Sequence, residues 1–123
     1  MILLDTNVII YAADPAYPSV HRFLTENAIA VSAITYVEAL GYHALDPRDR
    51  VSLERFFAAI PMLDIDRQVI DGAVALRQQR KLSLGDALIA ATALEHRIPL
   101  ATNNSRDFQW IAGLRLINPL VTN

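Results

Sequence analysis

The chain contains no cysteine. Disulfides, zinc–thiolate sites and thiol nucleophiles are excluded together. Lysine is almost as scarce: Lys81 is the only one, and the other ten of the eleven cationic side chains are arginines spread from Arg22 to Arg115. Arginine suits bidentate phosphate contacts better than lysine does. A net charge of −2 gives no global sign of a nucleic-acid partner, so any basic surface has to be local. The three histidines, His21, His43 and His96, are scattered, with no spacing that pairs two on one helix face. No apolar run approaches the ~18 residues a membrane span needs, and the run near Asp86 is broken by Thr92. Met1-Ile2-Leu3-Leu4 meets Asp5 too soon to form a signal-peptide core. Internal repeats and low-complexity stretches are missing too. The expectation is a soluble, cytoplasmic protein with no membrane contact.

The 123 residues, 53% hydrophobic and 20% charged, suit one compact domain over residues 1–123 and exclude disorder. Short apolar runs at Ile2-Leu3-Leu4, Ile29-Ala30-Val31, Met62-Leu63-Asp64-Ile65, Ile98-Pro99-Leu100-Ala101 and Leu114-Arg115-Leu116-Ile117 read as five strands. Between them, helical spacing predicts a turn at Val8-Ile9-Ile10-Tyr11 capped by Thr6 and Asn7 and broken at Asp14-Pro15, then helices over 19–27, 32–44, 48–59, 67–80 and 84–97. In the helix over 32–44, Thr35 and Glu38 have capping-box spacing and Val37, Leu40 and Tyr36 face inward. A short helix is predicted over 107–112, with Asp107 as its cap. Strands alternating with helices, without hairpin signals, predict a parallel sheet covered by helices on both faces.

The segment 84–97 is apolar almost all round and so reads as a buried helix. Ser83 and Asp86 form a capping-box pair at its start. Asp86 shares a row with Ala90 and Ala93, whose small side chains are expected to leave open space beside it. Three further acids have equivalent places: Asp5 directly after strand one, Glu38 early in the helix after strand two, and Asp107 a few residues beyond strand four. Capping alone explains each of them singly, because acids are favoured in first helical turns. Together they are harder to explain. Carboxylates a few ångströms apart repel by about 1–4 kcal/mol per pair at effective dielectrics of 80 to 20. The flanking apolar segments offer no lysine to compensate, and a divalent cation would. An all-oxygen set suits Mg²⁺ or Mn²⁺ over zinc.

Leu4-Asp5-Thr6-Asn7, Ser32-Ala33-Ile34-Thr35-Tyr36-Val37-Glu38, Leu84-Gly85-Asp86-Ala87-Leu88-Ile89-Ala90-Ala91-Thr92-Ala93 and Leu100-Ala101-Thr102-Asn103-Asn104-Ser105-Arg106-Asp107-Phe108 resemble, in order and across nearly the whole chain, the PIN-domain nucleases. More narrowly, they resemble the VapC-type toxins of bacterial toxin–antitoxin pairs. The resemblance implies a three-layer α/β/α fold with a mostly parallel sheet of about five strands, and a metal-dependent endoribonuclease using Mg²⁺, with Mn²⁺ as a substitute. Its products would carry a 5′-phosphate and a 3′-hydroxyl. Asp5, Glu38 and Asp86 match the family's acidic triad, and the fourth site falls to Asp107 or Asn104, with Asp107 favoured. Thr6, Thr102 and Asn104 are expected to support these carboxylates. The implied partners are an RNA substrate, a VapB-type antitoxin whose tail lies over the cleft, and a second copy of the chain, with helices 19–27 and 48–59 as candidate interfaces.

Arg80, Lys81 and Arg106 are candidate RNA contacts, although Arg77, Arg80 and Lys81 also suit a solvated helix end. Tyr11, Tyr36 and Tyr42 could stack on bases, but packing is the commoner use of such residues. A dehalogenase-type or receiver-type phosphoryl site is disfavoured, because Asn7 stands where a second Asp would be and Lys81 precedes the last strands. Two further alternatives are a PIN protein that processes RNA without an antitoxin and an inactive scaffold that only binds a partner.

Overall fold

A computed structural model describes residues 1–12 and 15–120. Asp14 of the predicted Asp14-Pro15 break therefore lies outside the described residues. Strands β1 (Ile2–Leu4), β2 (Ile29–Ser32), β3 (Met62–Leu63), β4 (Leu100–Ala101) and β5 (Leu116–Ile117) form one sheet in the order β3-β2-β1-β4-β5. Every neighbouring pair is parallel, with Leu3 opposite both Ala30 and Leu100. From central β1 the chain builds outward through β2 and β3 on one side, then through β4 and β5 on the other. The junction of β1 and β4 is therefore the switch point at which parallel α/β sheets open a crevice beyond their strand ends.

Alternate strand residues point to opposite faces, and each face has its own core. Leu3, Ala30 and Leu100 pack under α5 (Arg67–Gln79) and α6 (Leu84–His96), together with Val69, Ala73, Ile89 and Phe108. Leu4, Ile29, Val31 and Ala101 face α1 (Thr6–Ala12), α2 (Pro18–Glu26) and α4 (Pro47–Ala58), through Val8, Val20 and Phe57. Helix α3 (Ala33–Leu40) serves both layers, giving Ile34 to the first and Ala39 and Leu40 to the second. The result is the expected α/β/α architecture. No helix among the described residues is long and apolar enough to cross a membrane.

Side-chain caps set where helices begin. Asp46 accepts from Arg48 N–H at 2.8 Å, Asp66 from Val69 N–H at 2.9 Å and Ser83 from Asp86 N–H at 3.1 Å, each contributing about 1 kcal/mol. Helix α6 is buried as its composition predicts, and its one polar break is satisfied: the Thr92 hydroxyl donates to the Leu88 carbonyl at 2.7 Å. Its alanines do a different job from the expected one. Ala90 and Ala93 are fully buried, so they bring the helix close to the sheet instead of opening space beside Asp86. Leu84, placed on the buried stripe by its spacing, is 58% exposed at the helix start.

The other departures are local. Helix α1 begins at Thr6, so Thr6 and Asn7 lie in its first turn and do not precede it. Helix α3 ends at Leu40, four residues short of the predicted end, and its cap is Ser32, which accepts from Ile34 N–H, not Thr35. That phase buries Thr35 and Ala39 and leaves Val37 62% and Tyr36 41% exposed. The helix predicted over 107–112 is a single 3-10 turn at Ser105–Asp107 followed by irregular turns. Phe108 is drawn fully into the core there, which anchors the segment more strongly than its helix propensity does.

Candidate active site

Asp5 leaves β1 at the switch point and is 4% exposed. Its Oδ1 accepts from Thr6 N–H at 2.8 Å, and its Oδ2 accepts from the Thr102 hydroxyl at 2.8 Å across the β1–β4 junction. The same Thr102 oxygen accepts from Asn104 N–H at 3.0 Å. Both carboxylate oxygens are thus fixed from two strands. Burial pushes the Asp5 carboxyl above its ordinary value. The Thr102 and Thr6 hydrogen bonds pull it down, and the charges of Glu38 and Asp107 push it up again.

Asp86 sits half-buried in the first turn of α6, with its N–H held by Ser83. Burial, and then the charge of Asp5, raise its pKa; Ser83 opposes this and Asp107 adds to it. Glu38, on exposed α3, accepts from the Thr6 hydroxyl at 2.8 Å, and that hydroxyl also lies 3.3 Å from the buried Thr35 hydroxyl. Its other carboxylate oxygen lies against Gly85, where a Cβ would collide with Oε2. A glycine one residue before Asp86 therefore lets α3 and the start of α6 close on each other. Asp107 is exposed on the opposite side, with its Oδ2 held by the Asn104 amide at 2.5 Å. The two rivals for the fourth place are thus bonded to each other, the amide orienting the acid.

Asp5 feels the charges of Glu38 and Asp107, and Asp86 those of Asp5 and Asp107; among the described residues none of the four makes an ion pair. The ion pairs among the described residues are Arg50–Glu54 and Arg67–Asp71, both exposed and far along other helices. Among the described residues no three His, Cys, Asp or Glu side chains stand close enough to enclose a metal ion as placed. The fit to a divalent cation is therefore one of donor chemistry, not of a closed coordination shell. Hard oxygen donors of this kind suit Mg²⁺ or Mn²⁺. Beside Thr102, Asn103 Oδ1 is the one buried side-chain polar atom without a hydrogen-bond partner among the described residues. Such an atom costs about 1–3 kcal/mol, and the fold places that cost at this edge.

Other candidates part ways. Arg80, Lys81 and Arg106 line a hollow of about 420 Å³ together with Asp86, Asp107 and Trp110. Arg106 does not pair with Asp107; among the described residues it makes no ion pair. Tyr11 packs edge-on to Tyr17 and Tyr36 edge-on to Phe57, with centroids 4.6 and 5.2 Å apart, so both follow the packing reading. Sequence reasoning overlooked Gly85 and Trp110. A glycine opening a helix beside an acid was a usable signal; nothing local pointed to Trp110.

A parallel three-layer fold with interacting carboxylates at its switch point is a PIN-like α/β/α architecture. The PIN-domain family pattern matches residues 2–114. The tRNA(fMet)-specific endonuclease VapC of Shigella flexneri is 31% identical, covering 92% of this chain and 93% of that protein. A toxin–antitoxin complex from Klebsiella pneumoniae contains a chain 30% identical, covering 97% of this chain and 98% of its own, with a TM-score of 0.80. VapBC2 from Rickettsia felis, bound to a DNA fragment from its promoter, contains one 26% identical over 96% and 98%, with a TM-score of 0.83. The chain belongs to the PIN-domain family, in its VapC branch.

Proposed function

We propose that the protein is a divalent-metal-dependent endoribonuclease and the toxin of a VapBC-type pair. The observation that carries this reading is the buried Asp5. Both its oxygens are fixed by hydrogen bonds and it is repelled by two further acids, yet among the described residues it makes no ion pair. A fold that only bound a partner would have no reason to keep that arrangement.

Asp5 and Asp86 are the residues that would hold Mg²⁺ or Mn²⁺, with Glu38 and Asp107 on the rim. When bound, such an ion supplies charge to a phosphate oxygen and acidity to a water. The chain's own groups do the rest. Thr102 and the Thr6 amide fix the angle of the Asp5 carboxylate. Glu38, held by Thr6 against Gly85, and Asp107, held by Asn104, would accept a proton from the attacking water. The N-terminus of α6 adds partial positive charge where a phosphate approaches Asp86.

The relatives supply the biological setting. By analogy with them, this chain is sequestered by a VapB-type antitoxin, pairs with a second copy of itself and acts on RNA in the cytoplasm. The test is cleavage of tRNA(fMet) and total RNA with Mg²⁺, with Mn²⁺, and with excess EDTA, for the wild type and Asp5→Asn. Cleavage is expected with either metal and abolished by EDTA or the substitution. Full cleavage in EDTA, or by Asp5→Asn, overturns the assignment. Growth arrest on induction, relieved by co-expressing an antitoxin encoded beside it, tests the toxin role. Light scattering of the isolated chain tests the dimer, and a monomer mass counts against it.

A further inference from the structure

The hollow beside Asp86 and Asp107 carries a feature that the acids do not need. Trp110, the chain's only tryptophan, forms part of its wall. Its indole Nε1–H donates to the Asp107 carbonyl at 2.8 Å, which ties the ring to the segment bearing the fourth acid. The Arg80 guanidinium carbon lies 5.1 Å from the ring centroid, in cation–π range. Arg80, the residue just past α5, and Trp110, in the turns after β4, are far apart in sequence and meet only here. Lys81 and Arg106 complete a cationic border to a space of about 420 Å³, within the range that holds small organic ligands.

Three cations around two carboxylates do not make a good site for phosphate alone, because Asp86 and Asp107 repel it. A planar, weakly charged group gains more. It can stack on the indole or on the flat guanidinium covering it, and stacking of bases on such side chains is tolerant of base identity. Resting on the nuclease reading above, we propose that this hollow is a base-binding subsite. The unpaired base next to the phosphate held at the acidic cleft stacks on the Trp110–Arg80 pair, and Lys81 and Arg106 take the flanking phosphates. Trp110 and Arg80 are then specificity-determining residues, selecting sites where a base is free to leave its neighbours.

Because the tryptophan is unique, its fluorescence reads this hollow directly. The full-length protein is titrated in EDTA, which prevents turnover, with a twelve-nucleotide single-stranded RNA of mixed sequence, an abasic ribose-phosphate chain of equal length, and inorganic polyphosphate. Saturable quenching is expected with the RNA and not with the other two. In the presence of Mg²⁺, Trp110→Ala and Arg80→Ala are each expected to raise KM for RNA by about 5- to 100-fold, with a smaller loss in kcat and partial rescue by Trp110→Phe. Arg80→Ala keeps the indole, so its response is readable even if Trp110→Ala does not fold.

Equal quenching by the abasic chain or by polyphosphate overturns the proposal, and so does an unchanged KM in Arg80→Ala. Quenching by an arginine-bearing or acidic peptide without any by RNA also overturns it, assigning the hollow to a protein partner. The two readings fail separately. Base-dependent quenching without cleavage would sink the nuclease and leave the subsite, whereas cleavage without base-dependent quenching would sink the subsite alone.

Discussion

The floor and the rim of the cleft are built from the same chemistry by opposite means. On the floor, Asp5 is buried and gripped at both oxygens, and Asp86 is half-buried on a helix that the core encloses. On the rim, Glu38 and Asp107 are exposed, and each is held through one partner, Thr6 or Asn104. Burial raises the cost of charge on the floor, and preorganisation is what that cost sustains. The rim avoids the cost and keeps freedom to follow a substrate. Function should therefore be most sensitive, and stability least protected, at the floor.

The largest expected effect breaks that contrast at its deepest point. Asp5→Asn keeps the shape and the Thr6 contact but removes the charge and, with an amide nitrogen in place of Oδ2, the acceptor for the Thr102 hydroxyl. Activity should fall by at least about 10²-fold, the scale of losing one preorganised polar group from a site. Metal-free stability should rise, because burial, and after it the repulsion from Glu38 and Asp107, penalises the charge that is removed. Thermal unfolding in EDTA beside single-turnover cleavage checks both. A variant both inactive and less stable would show that Asp5 is structural.

Thr102→Val tests the grip without touching the charge. It removes the donor to Asp5 Oδ2 and the acceptor for Asn104 N–H. A loss of about 10- to 100-fold in kcat is expected, as for groups that orient a metal ligand, with KM for RNA little changed. Since the Thr102 bond lowers the Asp5 pKa, the acid limb of the pH–rate profile should move to higher pH. A purely structural threonine would leave that limb in place.

How much of this was legible depends on the range of the interaction that decides it. The strands and α6 are decided by local apolar pattern, and the sequence shows them with ends within a few residues. That Asp5 comes near Glu38 and Asp86 was legible because strand ends in a parallel sheet share an edge. The inward face of α3 was not, because its phase is set by the Ser32 cap and by packing against α6 and α4. The 3-10 turn at Ser105–Asp107 gave way to a tertiary demand, the burial of Phe108. Gly85 facing Glu38, Asn104 bonded to Asp107 and Arg80 on Trp110 are contacts between side chains, which periodicity does not encode. Reading Ala90 and Ala93 as room for the cleft failed for a related reason: small residues beside a site also allow a helix to pack closely.

Gly85→Ala sharpens the comparison from the rim. A new Cβ would meet Glu38 Oε2, a carboxylate end that can swing away. Alanine in place of glycine favours a helix by roughly 0.5–1 kcal/mol, so the fold should hold or gain. Cleavage should drop by roughly tenfold, because Glu38 loses its place against Gly85 even though all four acids remain. Asp107→Asn, which keeps a partner for Asn104, should cost about as much or less. If Gly85→Ala is fully active, Glu38 does not need its observed position.

The smallest effect separates floor from rim by pH alone. In the metal-free protein Asp5 and Asp86 have pKa values raised above the ordinary 3.8, so the folded state binds protons that the unfolded state has released. Below 3.8 both states are protonated and the penalty is absent. As pH rises from 3.8 through the raised folded values, these two groups make stability fall, and the loss is complete above them. Other acids titrate too, so the quantity to follow is the melting temperature of wild type minus that of Asp5→Asn in EDTA. It should become more negative across that window and then level off. With Mg²⁺ present the sign should reverse, because deprotonation of Asp5 then completes a binding site and bound ion stabilises only the folded chain. A difference that is flat with pH in EDTA would mean that the floor carries no stored charge repulsion.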